Sequence, residues 1–275
     1  MGTQVARNTK KTIGLLVSTL VIDMLAFTSI LPLFPSILNF YSKDGHRDSL
    51  YNGCVSLLKQ FQSLVGVPHN ERYNNVFFGG LLGSIFSALQ FVSSPSMGSL
   101  SDVYGRRTML LISCLGTLTS YIIWLRAETF TIFVVSRILG GLSKANINVA
   151  TAIISDIYSP QNYPKGMTLI GIAYSIGFLI GPMIGAYFST VAPHNALHSI
   201  PAIFCIILTI IQFAIILFIL PETLKCDERQ GKIYLFTGFM MLPIQGLFVR
   251  KTPMHKYMFN NSRVYYANMS RPPKP

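Results

Sequence analysis

Charge is scarce in this sequence: Asp, Glu, Lys and Arg make up 12% of 275 residues, against about 25% in a soluble globular chain. With 51% hydrophobic residues, that shortage excludes an ordinary soluble domain and points to a polytopic membrane protein. Acidic residues are scarcer than basic ones, 10 against 22, which leaves a net charge of +12. The excess does not read as a nucleic-acid surface. Lys and Arg fall in short loops and the tail rather than on one face, and no nucleic-acid motif accompanies them. Cysteine is rare too: Cys54, Cys114, Cys205 and Cys226 show no CxxC spacing and no neighbouring His cluster, which argues against a zinc site or a disulfide framework. A nucleophile with its base, a metal-ligand cluster and a phosphate-binding glycine loop are all missing, so the chain does not read as an enzyme.

What the sequence does have is long apolar runs. Six of them, at about 12–38, 74–97, 108–125, 130–157, 167–189 and 198–220, are long enough to cross a ~30 Å hydrocarbon core at 1.5 Å rise per residue. They define an all-α membrane protein. The first run follows Arg7, Lys10 and Lys11 and exceeds the ~7 to 15 residues of a signal-peptide core, so it reads as a retained span. A cytoplasmic N-terminus gathers Arg7, Lys10, Lys11, Arg106, Arg107, Lys165, Lys225, Arg229 and Lys232 on the inner side, as the positive-inside bias requires. In the long outer loop, Leu50 to Val65 carries apolar residues at helical spacing, which places it on the membrane surface or as a cap on the outer face.

Polar residues inside the spans are the candidate site. Asp23 falls near the bilayer midplane, where a carboxylate is costly. Burial opposes its ionisation and a nearby cation favours it, so it reads either as a proton carrier or as a permanently paired structural charge. Pro32 and Pro35 should bend or end that helix. In the second span Gly79, Gly80, Gly83, Ser84 and Ser87 form a small-residue stripe that reads first as helix packing, and Gln90 reads as packing or as cavity lining. Arg137, Gly141, Lys144, Asn148, Thr151 and Ser155 follow steps of three or four along the fourth span, one polar side of a helix that should face the interior, a wet cavity or Asp23. Arg137 is alternatively near enough to the outer surface to snorkel; Lys144 is too deep. Gly177, Gly181, Pro182 and Gly185 predict a bent, closely packed fifth span.

Several of these stretches resemble the major facilitator superfamily. Gly98 to Arg107 resembles the loop between its helices 2 and 3, with Gly98, Asp102, Gly105, Arg106 and Arg107 at signature positions and Val103 where the family prefers a basic residue. As a polar turn, this stretch is expected to use its glycines for reversal and close approach. Asp102 is expected to accept from a helix N-terminus, and the arginines to hold the loop inside. Arg137 to Gly141 resembles the fourth-helix motif, whose Arg the family ties to proton coupling. Gly177 to Ala186 resembles the antiporter motif, with Ala186 replacing its last Gly, and Pro221-Glu222-Thr223 resembles the usual exit of the sixth helix. Asp23 to Pro32 and Gly140 to Asn148 look closest to the animal tetracycline-transporter-like branch.

The resemblance implies a six-helix N-terminal bundle of 3+3 inverted repeats over residues 1–224. It also implies alternating-access transport of small organic anions or drugs in a plasma or organelle membrane. Protons would serve as coupling ion, with no other cofactor. The implied cavity set is Asp23, Arg137, Lys144, Asn148 and Gln90.

Beyond residue 224, a short linker at 225–232 leads to a seventh apolar segment at 233–249 and a basic tail at 250–275. The segment resembles helix 8 of the same branch. As a span it would carry Arg250 and Lys251 outside, against the positive-inside bias, so it is expected to be frustrated, with Pro243 allowing a re-entrant course. Asn260 and Asn268 begin glycosylation patterns usable only if the tail is luminal. With one six-helix half, the chain is expected to transport poorly alone and to need a homo-oligomer or a second transporter half. The alternative expectation is a non-transporting isoform that binds the full-length transporter.

Overall fold

The computed structural model describes residues 2–42, 48–66, 71–191 and 199–223. The linker, the seventh segment and the tail with Asn260 and Asn268 lie outside the described residues. Helix α1 (Gly2–Thr28) gives way to a 3-10 turn at Leu31–Leu33 and then to α2 (Phe34–Ser42). Pro32 stands in the first positions of the turn, where its missing N–H leaves no helical bond unmade. Beyond it come α3 (Ser49–Val65), α4 (Glu71–Tyr104), α5 (Arg106–Leu125), α6 (Phe130–Ser143), α7 (Asn146–Ile157), α8 (Tyr163–Val191) and α9 (Ser199–Phe218). Among the described residues, six segments are long and apolar enough to cross a membrane: Thr9–Ser42, Phe77–Tyr104, Arg106–Leu125, Phe130–Ile157, Tyr163–Val191 and Ser199–Phe218. They coincide with the six runs read from sequence. Two, the first and the fourth, are each built from helices with a break between them.

Packing divides the bundle into two apolar clusters. At the end away from the N-terminus, Leu33, Ile37, Tyr41, Trp124, Phe130, Phe133 and Cys205 are fully buried together. At the N-terminal end Leu16, Leu20, Cys114, Val149, Ile154 and Ile216 do the same. Along spans one, three, four and six, the buried polar residues Asp23, Thr117, Ser120, Ser136, Arg137, Lys144, Thr209 and Gln212 fall between the residues that join these clusters. Hydroxyls in this belt satisfy themselves cheaply. Thr117 donates to Cys114 O at 2.9 Å, Thr209 to Cys205 O at 2.7 Å and Ser120 to Ser136 O at 2.6 Å, so their burial leaves no bond unmade. Asp23 Oδ2, Lys144 Nζ and Arg137 Nη2 have no such hydrogen-bonded outlet among the described residues.

The antiporter-like glycines pack span five on span one. A Cβ at Gly177 would overlap Met24, at Gly181 it would overlap Thr28, and at Gly185 it would overlap the Ser29 carbonyl. The absence of side chains lets the backbones approach until Thr28 Oγ1 donates to Gly177 O at 2.9 Å across the interface, a small-residue contact reinforced by a hydroxyl. Pro182 does not end the helix; α8 runs unbroken through it.

The stretch from Gly98 to Arg107 is mostly helix rather than a ten-residue turn. Helix α4 continues to Tyr104 and the reversal is confined to Gly105, with Ser99 and Ser101 satisfying their hydroxyls inside the helix on Pro95 O and Gly98 O. Gly105 takes φ +101°, a region that only glycine enters without strain. Gly98 makes no close approach; a Cβ there would meet nothing within 4 Å. The expected acceptor role of Asp102 falls to Glu222, which accepts from Arg106 N at 2.9 Å and Arg107 N at 3.2 Å and so caps the positive end of α5. Asp102 pairs instead with Arg106, whose Nε also reaches Asp156 at 3.0 Å. Arg107 donates to the last carbonyls of α9, Ile216 O and Leu217 O. These arginines therefore fasten spans two, three, four and six to each other, in addition to any topological role.

Candidate functional site

The fourth span is not one polar-striped helix. It breaks at Lys144 (φ −75°, ψ 92°) and Ala145 (φ −120°, ψ 0°), and the break is held from span three. Ser113 Oγ donates to Ser143 O at 2.6 Å and accepts from Ala145 N at 3.1 Å, replacing helical bonds that the break forfeits. The geometry turns Lys144 into the bundle, where Nζ lies 2.8 Å from Asp23 Oδ2, both side chains 4% exposed. Apart from one another, Lys144 Nζ and Asp23 Oδ2 have no hydrogen-bond partner among the described residues. Such a pair is held by Coulomb attraction without the supporting bonds that usually offset desolvation.

Arg137 does not share this carboxylate. It is 5% exposed and caged by rings, its guanidinium carbon 5.1 Å from the Trp124 centroid, 5.5 Å from Phe133 and 5.7 Å from Tyr121. Nε donates to Ser136 Oγ at 3.3 Å, and Nη2 has no partner among the described residues. Cation–π attraction offsets part of its desolvation, but no ion pair with a described carboxylate forms. Nor does Arg137 snorkel to the surface. The seven-residue step from Arg137 to Lys144 ends at the break, so the two cations serve different surroundings.

Arg137 instead reaches a cavity of about 390 Å³ between span one (Phe27, Ile30, Leu31, Phe34) and span two (Gly80, Leu82, Gly83, Ser84, Phe86, Ser87). The volume is that of a small-molecule pocket, mostly apolar with few polar groups. It divides the small-residue stripe read for packing: Gly79 packs closely on Phe34, where a Cβ would lie 3.4 Å from the Phe34 Cβ, but the rest lines the cavity. A Cβ at Gly80 or Gly83 would meet nothing within 4 Å, so these glycines open space instead of closing it. Gln90 is half-buried and is not among the cavity-lining residues. Asn148 is half-buried with its Nδ2 unpartnered.

Three residues that sequence reading did not single out complete the site. Phe27 joins its two halves: it lines the cavity, packs at a tilt against Phe86 with ring centroids 5.0 Å apart and lies with its ring centroid 4.8 Å from Lys144 Nζ. Asn146 is 2% exposed with neither side-chain polar atom partnered. Ser113 holds the break. The Lys144-Ala145-Asn146 run, polar on both sides of a small residue in an apolar span, was the available signal for Asn146; Phe27 and Ser113 carry none.

Residues 16–262 match the pattern of the Major Facilitator Superfamily. Major facilitator superfamily domain-containing protein 10 of Bos taurus is 41% identical over 217 residues, covering 78% of this chain and 45% of the relative. The class B tetracycline resistance protein of Escherichia coli is 28% identical over 174 residues, covering 60% of this chain and 42% of that protein. A crystal structure of the human organic anion transporter MFSD10 (TETRAN) superposes with a TM-score of 0.75 at 37% identity, over 82% of this chain and 50% of that one. The chain thus spans about half the length of these relatives. Its six spans, signature turn, glycine-packed fifth helix and extended match leave one conclusion: this chain belongs to the major facilitator superfamily.

Proposed function

We propose that this chain forms the N-terminal half, residues 1–224, of a proton-coupled transporter of small organic anions. Arg137 receives the anionic group of the substrate and the Asp23–Lys144 pair carries the coupling proton. The observation that carries this reading is the contrast between two buried cations. Lys144 is neutralised by Asp23 at 2.8 Å, whereas Arg137 has no described carboxylate in ion-pair range and borders a cavity. An incoming carboxylate or sulfonate supplies the missing countercharge, and apolar walls from Phe27, Ile30 and Phe34 accept its hydrophobic body. Movement of Phe27 admits water to the ion pair; Asp23 then takes a proton from one side as its bond to Lys144 lengthens, and returns it to the other when the pair reforms. Alternating access requires a second six-span half facing this one.

The test uses the full chain in detergent and in vesicles. Binding of an aromatic carboxylate should saturate in the parent and weaken at least about tenfold in Arg137→Gln, since a hydrogen bond to a charged group contributes about 1.5–3 kcal/mol. Proton exchange accompanying binding should vanish in Asp23→Asn and persist in Lys251→Ala. Equal affinity in Arg137→Gln, or unchanged proton exchange in Asp23→Asn, overturns the assignment. A second reading, a non-transporting subunit that binds another copy or a full-length relative, is favoured by the open small-residue face of α4 at Gly80, Gly83 and Gly98. Flat substrate flux with co-purification of the full-length transporter supports it.

A further inference from the structure

Helix α3 takes no part in the site, yet it carries three distinct faces. At 3.6 residues per turn, Tyr51, Leu58 and Gln62 fall on one side, and all three are buried against the bundle. About 110° away, Leu50, Leu57, Phe61 and Leu64 share a second side and stay exposed, Leu57 at 63% and Leu64 at 85%. The remaining arc holds Asn52, Ser56, Lys59, Gln60 and Ser63.

The depth of the helix is fixed by its ring contacts. Tyr51 stacks on Phe78 at 5.4 Å and meets Phe130 edge-on at 5.4 Å, while Phe61 meets Phe77 at 5.9 Å. Phe130 is the first residue of α6, and Phe77 and Phe78 lie in the second turn of α4, so α3 lies beside the ends of two spans. Through the Phe61–Phe77 contact the apolar stripe adjoins the end of α4, while the polar arc occupies another side of the helix. A helix in water would expose that stripe at a free-energy cost with nothing to offset it. A helix with one face on protein, one apolar and one polar fits the boundary between acyl chains and headgroups.

We infer that α3 is an interfacial membrane anchor, with Leu50, Leu57, Phe61 and Leu64 inserted among the lipids on the side opposite the N-terminus. This inference is independent of what the protein transports. Anchored there, α3 fixes the height of spans two and four relative to the bilayer surface.

Nitroxide labels placed singly at 57, 61 and 64, and at 56, 59 and 63, test it on the full chain in phosphatidylcholine vesicles. The background carries Cys54→Ala and Cys226→Ser, Cys114 and Cys205 being buried. Labels on the stripe should favour relaxation by oxygen over a water-soluble nickel chelate several-fold more than labels on the polar arc. A label at Phe91, exposed farther along α4, should read deeper still. Leu64→Trp, quenched by lipids brominated near the headgroup more than by those brominated at chain ends, gives an independent measure. Equal nickel access on both arcs, or no bromolipid quenching, overturns the inference in favour of a helix in water. Protection of the stripe from oxygen and nickel alike overturns it in favour of a covering protein, a second copy or a second half.

Discussion

Severing the Asp23–Lys144 pair one side at a time, and then on both, measures how the belt is held. At 2.8 Å the attraction is about 6 kcal/mol if the effective dielectric is about 20, and desolvation of two groups each 4% exposed opposes it. Lys144→Met leaves a buried carboxylate without countercharge and Asp23→Leu leaves a buried ammonium, each of which costs about 3–5 kcal/mol. The double variant leaves neither charge and fills a similar volume, so it should lie within about 2 kcal/mol of the parent. The coupling between the two sites should then exceed about 3 kcal/mol, well above the ~0.5 kcal/mol scatter of independent sites. Unfolding by sodium dodecyl sulfate in mild detergent reads it. The single tryptophan of the chain, Trp124, is fully buried beside Arg137 and reports the transition by fluorescence. If the double variant is destabilised by the sum of the singles, Asp23 and Lys144 do not neutralise each other and the basis of proton coupling is lost.

Gly105→Ala should lose about 1–3 kcal/mol of stability from backbone strain at φ +101°. It should lose up to about 2 more from displacement of Glu222, whose Oε2 would sit 2.5 Å from the new Cβ; Gly83→Ala, facing open space, should be neutral or gain about 0.5–1 kcal/mol in the same unfolding assay. Gly181→Val should force span five off Thr28 of span one and sharply reduce the monodisperse fraction on size exclusion, whereas Gly171→Val, where a Cβ meets nothing within 4 Å, should not. Burial is the largest single influence on the Asp48 carboxyl and raises it, but the hydrogen bonds from Thr131 and Tyr51 together outweigh it and hold the group below its ordinary value. Its stabilising effect is therefore complete above about pH 4 and lost as pH falls through the depressed value. Hydrogen exchange at the Tyr51 and Thr131 amides should stay slow on acidification to about pH 4 and accelerate at all pH in Asp48→Ala.

Most of the bundle was legible because lipid imposes its own grammar. A run of about 20 apolar residues has few alternatives to a span, and Asp23 and Lys144 announce themselves by being charged in such runs. The glycines of span five were legible for the same reason, since small residues at spacing four in a membrane helix mark close approach. The stripe in span two packs at Gly79 but faces open space at Gly80 and Gly83, because the same residue types that admit a neighbouring helix also leave a cavity where none comes. Asp102 was assigned the acceptor role of Glu222 because it lies four residues from Arg106 in sequence, whereas Glu222 lies 116 residues away. Arg137 and Lys144 were placed along one polar side because helical periodicity puts them there, which holds only if the helix is continuous.

By itself the sequence determined how many spans the described chain has, which residues are too polar to face lipid, and which side of span five must be closely packed. Each follows from transfer free energies and side-chain size, properties of single residues and short windows. Tertiary structure alone decided which buried cation meets Asp23, which is left to an aromatic cage, and which helix end Glu222 closes. Those choices depend on a two-residue break stabilised by a serine from another helix, and on approaches between residues far apart in the chain, where no local periodicity carries the information.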